Sequence, residues 1–250
     1  MIPHHLAFLF FVAAVGAALL SMGAYAVLDR RRDPDVVGKG GQFLAGMGDF
    51  PLHWFMWVMS PLVAFSRRAG LTADFYNYVG LLFGLASGWF IGIGRLEIGG
   101  WMIVSSGIAD VLDGRIARLM GVASDYGDFI DSTFDRFVEA STFLGFAYYL
   151  RRTEWGALIA GAALAGSLIV SYARARGEVS GVVCTKGLMQ RGERLLITAL
   201  VCFLAPTLSA FFGLDASTIT QWALGLIAGG TLITAVYRTA WIAARLRGQR

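Results

Sequence analysis

Apolar runs recur along this chain, each long enough for a helix to cross a lipid bilayer, and they restrict the folds that it can adopt. A bilayer core is roughly 30 Å thick, so a spanning α-helix needs about 20 mainly apolar residues. The first run extends from His5 to Leu28 and is followed by three arginines, Arg30 to Arg32. Six more spans are predicted after Thr72, at about 74–94, 97–120, 125–150, 154–176, 192–213 and 217–244.

Composition supports the same conclusion. The 250 residues are 56% hydrophobic and 15% charged, which is too apolar for a soluble domain to bury in one core. The 32 glycines are typical of transmembrane helices, which use small residues to approach one another closely. We therefore predict an all-α polytopic membrane protein.

The basic residues lie in short clusters at the ends of the apolar runs, although the net charge of +4 alone could suggest a nucleic-acid partner. Clusters of this kind orient membrane helices, so we expect no nucleic-acid partner. They place residues 30–32, 115–118, 174–176 and 245–247 in the cytoplasm. The exception is the arginine pair at 151–152, which this topology places on the opposite side of the membrane.

Three regions follow from this pattern: an N-terminal span with its basic stop at 1–32, a cytoplasmic or interfacial segment at 33–73, and a six-helix membrane domain at 74–250. Aromatic residues between Trp54 and Phe65 predict an amphipathic helix in the membrane interface. It would serve as a lateral platform for a lipid substrate or only as an anchor. In the second span, glycines recur every four residues from Gly80 to Gly92, which predicts a packing stripe.

Four aspartates, Asp110, Asp113, Asp131 and Asp135, stand within two consecutive predicted spans. An ionisable residue inside a membrane span is costly unless it is paired, hydrated or liganded, so it indicates function. The spacing places each pair on one helix face, and the short link at 121–124 makes the two helices antiparallel neighbours. We expect the two acidic faces to converge near the cytoplasmic surface.

Carboxylates crowded together raise one another's pKa, and a divalent cation relieves that repulsion. Hard oxygen ligands suit magnesium, manganese or calcium, and magnesium usually binds substrate phosphates as well. Gly114, Ala117 and Gly127 keep side chains small where a ligand would approach, and Arg118 offers a cationic fork for a phosphate. Taken singly these would be packing residues and a topology-setting arginine; with the aspartates they indicate a site.

The stretch DVLDGRIARLMGVASDYGDFIDSTFD, from Asp110 to Asp135, resembles the signature D-x-x-D-G-x-x-A-R, then G-x-x-x-D-x-x-x-D, of the CDP-alcohol phosphotransferase family. The resemblance extends from about Leu71 to the C-terminus and leaves the first 40 or so residues unexplained. It implies a six-helix core, here with an interfacial amphipathic helix and one extra N-terminal transmembrane helix.

The resemblance further implies transfer of a phosphoalcohol from a CDP-linked donor to an alcohol, with release of CMP, in a homodimer. The cofactor would be Mg²⁺ or Mn²⁺, as two ions. Asp135 would be the general base and would also touch a metal. By position, the metal ligands would be Asp110, Asp113 and Asp131, and the CDP-binding residues Asp113, Gly114, Ala117, Arg118 and Gly127.

The segments SYARARGE and GLMQRGERLLI look like those of phosphatidylinositol-phosphate synthases from bacteria and archaea. Carried over by position, Arg174, Arg194 and Arg238 would bind the phosphate of an inositol phosphate acceptor; topology alone is the other explanation. Arg174 stands where lysine is usual, and Gly192 replaces a proline. A soluble phosphorylated acceptor implies that CDP-diacylglycerol is the donor, with its acyl chains among the membrane lipids.

Two other functions remain open. A phosphatidylglycerol-phosphate or phosphatidylserine synthase, or an amino-alcohol phosphotransferase acting on diacylglycerol, would share the aspartate motif. A cation transporter would also use intramembrane carboxylates, but near the membrane midplane. We expect a prokaryotic inner or plasma membrane location, with the active site at the cytoplasmic side.

Overall fold

The computed structural model describes residues 4–28 and 49–248, with side chains from residue 9 onward in the first stretch. The predicted basic stop at Arg30 to Arg32 and the polar segment up to residue 48 lie outside the described residues. The described part of the chain is helical and contains no β-strand. Its helices are α1 (His4–Leu28), α2 (Phe50–Arg68), α3 (Ala73–Gly92), α4 (Leu96–Met120), α5 (Asp125–Tyr149), α6 (Gly156–Val179), α7 (Arg191–Phe212) and α8 (Ala216–Arg247).

Each of the predicted spans is a helix, and the amphipathic segment is α2. Among the described residues, four helical segments are long and apolar enough to cross a membrane: Leu9–Leu28 within α1, and α6, α7 and α8. Helices α3, α4 and α5 have 20, 25 and 25 residues, so their length also suffices for a crossing. The all-helical membrane architecture is thereby confirmed.

The residues pack into two compact units. The first comprises the described residues within 1–82 and 105–134, and the second comprises those within 83–104 and 135–250. Helices α3, α4 and α5 each contribute to both units.

In the first unit, α1 packs on α2 through aromatic rings. The Tyr25 ring lies 5.6 Å from that of Phe50 and 5.7 Å from that of Trp57, centroid to centroid. The Trp54 indole Nε1 donates a hydrogen bond to Ser21 Oγ at 3.0 Å. These contacts fix α2 against the N-terminal helix.

The core of the first unit positions α4. Val63 of α2 and Tyr76 of α3 bury against Ala109, Leu112 and Ile116 of α4. Close approach of α3 and α4 depends on a small residue: a Cβ at Gly80 would stand 3.4 Å from that of Ala109. These apolar residues lie on one face of α4, and Asp110 and Asp113 lie on the adjoining face. Burial of the apolar face therefore sets the direction in which the two aspartates point.

The second unit holds the larger core, in which α3 and α5 also touch through glycines. A Cβ at Gly84 would overlap the Val138 side chain, and one at Gly88 would overlap the backbone of Ser141. Beside this contact, Ser87 Oγ and Thr142 Oγ1 share a hydrogen bond of 2.9 Å. The predicted glycine stripe therefore serves helix packing.

Candidate active site

Three aspartates of the first unit come together at the ends of two helices. Asp110 and Asp113 lie in the last three turns of α4, and Asp131 lies in the second turn of α5. One carboxylate oxygen from each lies within 4.8 Å of the others. Asp113 is 6% exposed, and the other two are half-buried.

A tight turn brings these helix ends together. Gly121 follows the last residue of α4 with φ of +66°, a left-handed conformation that glycine adopts without a steric penalty. Its N–H donates to the Arg118 carbonyl at 3.2 Å, which closes the helix. The chain then needs only three further residues before α5 begins at Asp125.

The three carboxylates fit a divalent metal ion. Their donor atoms are hard oxygens, and three negative charges held this close repel one another unless a cation lies among them. Magnesium and manganese prefer such ligands, and the set is too small to fill a coordination shell, so positions would remain for substrate oxygens. The sequence prediction that the acidic faces converge holds for these three residues.

Beside the aspartates, the first unit has a cavity of about 340 Å³. Asp113, Gly114, Ala117, Arg118 and Gly127, predicted from sequence as nucleotide ligands, all line it. So does Asp131. The cavity thus has the volume and the lining of a small-molecule site.

Small residues shape this cavity. A Cβ at Gly114 would approach the Arg118 guanidinium Nη1 to 3.2 Å, so the glycine leaves that cation its space. The Gly127 amide donates to Ser124 Oγ at 3.3 Å, which ties the first turn of α5 to the preceding link.

Sequence reasoning missed two polar residues of α3 that line the same cavity, Asp74 and Asn77. Asn77 is 7% exposed. The available signal was the position of these two residues in the first turns of an otherwise apolar run. It was weak because polar residues at helix ends are common.

Asp135 belongs to the second unit, where it faces cations of α5 and α7. Its Oδ1 forms an ion pair with Arg191 Nη2, and its Oδ2 lies 3.8 Å from Arg136 Nη1. One turn further along α5, Glu139 Oε1 accepts a hydrogen bond of 2.7 Å from Arg194 Nε. No sequence pattern predicts these pairings.

The predicted acceptor arginines have three different environments. Arg174 is exposed and pairs with Glu178 at 2.8 Å, one turn along α6. Arg194 is 2% exposed and, besides Glu139, donates from Nη1 to the Met189 carbonyl at 3.2 Å. Arg238 is 4% exposed.

Arg238 fastens the loop between α6 and α7. Its guanidinium donates to the carbonyls of Lys186 at 3.0 Å, Thr185 at 3.3 Å and Val170 at 3.2 Å. One turn earlier in α8, Thr234 Oγ1 accepts from the amides of Leu188 and Met189, each at 3.1 Å. Arg238 thus has a structural role. Its binding to an acceptor phosphate stays a prediction.

Comparisons with known proteins all indicate the same family. A model of the CDP-alcohol phosphatidyltransferase family matches residues 70–236. The phosphatidylinositol phosphate synthase of Streptomyces avermitilis is 33% identical over 204 residues, which cover 79% of this chain and 83% of the relative. The archaetidylinositol phosphate synthase of Methanothermobacter thermautotrophicus is 33% identical over 181 residues, covering 72% and 87% respectively.

Solved structures of the phosphatidylinositol phosphate synthase of Mycobacterium tuberculosis have a similar fold. The form in complex with manganese and citrate superposes with a TM-score of 0.65 at 26% identity and covers 73% of this chain and 87% of that one. The form with CDP-DAG bound gives a TM-score of 0.64 at 26% identity and covers 74% and 93%.

Proposed function

The chain belongs to the CDP-alcohol phosphatidyltransferase family, and we propose that it transfers the phosphatidyl group of CDP-diacylglycerol to an inositol phosphate and releases CMP. It is an integral membrane transferase, in keeping with the four long apolar helices found among the described residues and with its family. The observation that carries the proposal is the cluster of Asp110, Asp113 and Asp131, two of which line the cavity formed by the family motif.

Asp110, Asp113 and Asp131 would hold the metal, as Mg²⁺ or Mn²⁺ and as two ions, with Asp135 contributing. When bound, the metal supplies positive charge that neutralises the pyrophosphate of the donor and stabilises the departing CMP. A manganese-bound relative supports this choice of cation.

The remaining motif residues would hold the CDP group. Gly114, Ala117 and Gly127 present no bulk to the cavity, so a flat base and a ribose can lie close to the helix backbones. The Arg118 guanidinium is exposed beside them, where its planar fork can pair with a phosphate. The relative solved with CDP-DAG bound supports this donor.

Asp135 would act as the general base. The attacking hydroxyl oxygen bonds to the phosphorus that carries the diacylglycerol, and the bond from this phosphorus to the oxygen of CMP breaks. The hydroxyl proton passes to Asp135. Arg191 holds Oδ1 of that carboxylate in an ion pair, which orients the carboxylate, and Oδ2 would take the proton.

The acceptor would be an inositol phosphate bound with the help of Arg174, Arg194 and Arg238. Two features support this: the names of the relatives and the concentration of arginines in α6, α7 and α8. The acyl chains of the donor would leave into the membrane, guided by the aromatic residues of α2. The active protein would be a homodimer in a prokaryotic plasma membrane, with the site on the cytoplasmic side, where four of the arginine clusters are predicted.

An acceptor panel tests this function. Purified protein in detergent is given radiolabelled CDP-diacylglycerol with inositol phosphate, inositol, glycerol 3-phosphate or serine, with Mg²⁺ or Mn²⁺ and with a chelator. We expect metal-dependent CMP release and a labelled lipid product with inositol phosphate alone. A product with glycerol 3-phosphate instead would make the chain a phosphatidylglycerol-phosphate synthase, and the absence of CMP release with every acceptor would refute the transferase assignment.

A further inference from the structure

Glu139 is a buried carboxylate whose two oxygens have different surroundings. Oε1 accepts a hydrogen bond of 2.7 Å from Arg194 Nε and lies 2.5 Å from Arg194 Nη2 in an ion pair. Oε2 is buried and accepts no hydrogen bond from the described residues. A buried acceptor left without a donor costs free energy, so a structure that keeps one indicates a partner that arrives from outside the chain.

The space beside Glu139 is small and polar. A cavity of about 40 Å³ is lined by Glu139 together with Asp135, Arg191, Arg194 and Thr198, among other residues. It has room for one or a few water molecules or hydroxyl groups, and not for a whole substrate.

The neighbouring hydroxyls do not satisfy Glu139. Thr198 Oγ1 donates within its own helix, to the carbonyl of Arg194 at 2.8 Å. Thr142 Oγ1, which also lines the cavity, shares its hydrogen bond with Ser87. A donor for Oε2 therefore has to come from a ligand or from solvent.

Glu139 stands one helical turn after Asp135, the residue proposed above as the base. Residues four apart on a helix have Cβ atoms about 5–6 Å apart on the same face. A polyhydroxylated ring presents hydroxyl groups at separations of this order. Two carboxylates in this arrangement can engage two hydroxyls of one such ring.

We propose that Glu139 determines acceptor specificity, by accepting a hydrogen bond at Oε2 from an acceptor hydroxyl other than the one that attacks. Through Oε1 it also holds Arg194, which would take the acceptor phosphate. Glu139 would thereby bind a hydroxyl group of the polyol and also position the Arg194 guanidinium that binds its phosphate. This inference rests on the proposed function, since it needs a cyclic polyol phosphate as the acceptor.

The test compares inositol phosphate with a set of its monodeoxy analogues, in wild type and in Glu139→Gln. The analogue that lacks the attacking hydroxyl cannot react. In the wild type we expect one further analogue to have a kcat/KM about tenfold or more below that of the parent, because it lacks one hydrogen bond to a charged group. In Glu139→Gln that analogue and the parent should react equally, while the KM for CDP-diacylglycerol stays the same. Non-additivity of this kind identifies a direct contact.

Two further variants keep the test decisive. Glu139→Asp keeps the charge and withdraws it by one methylene group, so it should lose the same discrimination even if Glu139→Gln fails to fold. Glu154→Gln makes the same chemical change at an exposed residue and should retain full discrimination.

Three outcomes are distinct. If the wild type does not use inositol phosphate, the proposed function fails. If the wild type uses it but reacts with every other monodeoxy analogue as fast as with the parent, only the role of Glu139 is overturned. The same holds if Glu139→Gln slows the parent and all analogues by one common factor, because Glu139 would then act through Arg194 alone.

Discussion

At the scale of single residues, the aspartates of the motif differ in what surrounds them. Asp113 and Asp131 line a cavity of about 340 Å³, and each has a carboxylate oxygen within 4.8 Å of one from Asp110, a spacing suited to a cation. Asp135 forms an ion pair with Arg191 and lies near Arg136. Carboxylates with other carboxylates as neighbours are suited to bind metal, whereas one oriented by a cation is suited to accept a proton at its other oxygen.

This difference predicts distinct phenotypes for two substitutions. Asp135→Asn should lower kcat at least about 100-fold, the usual contribution of a general base, with little change in the binding of CDP-diacylglycerol. Asp110→Asn should lose metal binding and donor binding together. Turnover is measured as CMP release, and donor binding with radiolabelled lipid.

Asp125→Asn, at the exposed start of α5, is the matched control and should behave like the wild type. Near-wild-type turnover of both Asp135→Asn and Asp110→Asn would contradict the assignment.

At the scale of helices, two features decide how these elements hold their positions. Glycines let α3 and α5 touch, as Gly84 and Gly88 show in the second unit. Polar caps fix the helix ends: Gln190 and Glu193 form a capping box at α7, and Asp215 caps α8. Both features can be tested by changes of a few atoms.

Gly88→Ala should destabilise the protein by about 1–3 kcal/mol, because the added methyl group would overlap the Ser141 backbone. Gly225→Ala in α8 adds the same methyl group where nothing lies within 4 Å. It should be neutral or stabilise by up to about 1 kcal/mol, since alanine favours helix over glycine. Thermal unfolding in detergent, followed by circular dichroism, gives both values; equal effects of the two changes would show that the close contact is absent.

Asp215→Ala should destabilise α8 by about 1 kcal/mol. The Asp215 carboxylate accepts hydrogen bonds from the hydroxyl and amide groups of Ser217 and Thr218, and these bonds lower the pKa of Asp215 below its usual value. A lowered pKa means that the stabilisation is complete above the pKa of the unfolded chain and is lost as the pH falls through the lower pKa of the folded protein.

The difference in stability between wild type and Asp215→Ala should therefore stay constant from neutral pH down to about pH 4 and shrink below it. Unfolding measured across this range checks the prediction, and Asp215→Asn, which retains a capping side chain, is the control. A difference that grows on acidification would refute the cap.

At the scale of the whole molecule, each of the two units carries a polar centre of its own. The first holds the three clustered aspartates and the larger cavity, and the second holds the ion pairs of α5 with α7. Helix α1 lines neither of the two cavities described above. It packs on α2.

Deletion of residues 2–48 should accordingly leave kcat and the KM values for both substrates close to those of the full chain. It removes the Ser21 and Tyr25 contacts of α2, so we expect a lower melting temperature in detergent. CMP release and thermal unfolding of the shortened chain report the two effects separately. Loss of activity with unchanged helical content would show that α1 takes part in the reaction.

The helices, their order and the acidic motif can all be predicted from local sequence patterns. These are local properties: run length identifies a membrane helix, and spacing of three or four residues places Asp110 with Asp113 on one face. Gly121 and the short link after α4 also sufficed to predict that Asp131 comes near them.

Which charges meet across helices depends on the three-dimensional packing of the chain. Glu139 and Arg194 are 55 positions apart, and nothing in either segment specifies the other. Their pairing, that of Asp135 with Arg191, and the hold of Arg238 on the α6–α7 loop depend on how each helix is rotated and shifted against its neighbours. That rotation is set by the packing of many apolar side chains together, which no local pattern encodes.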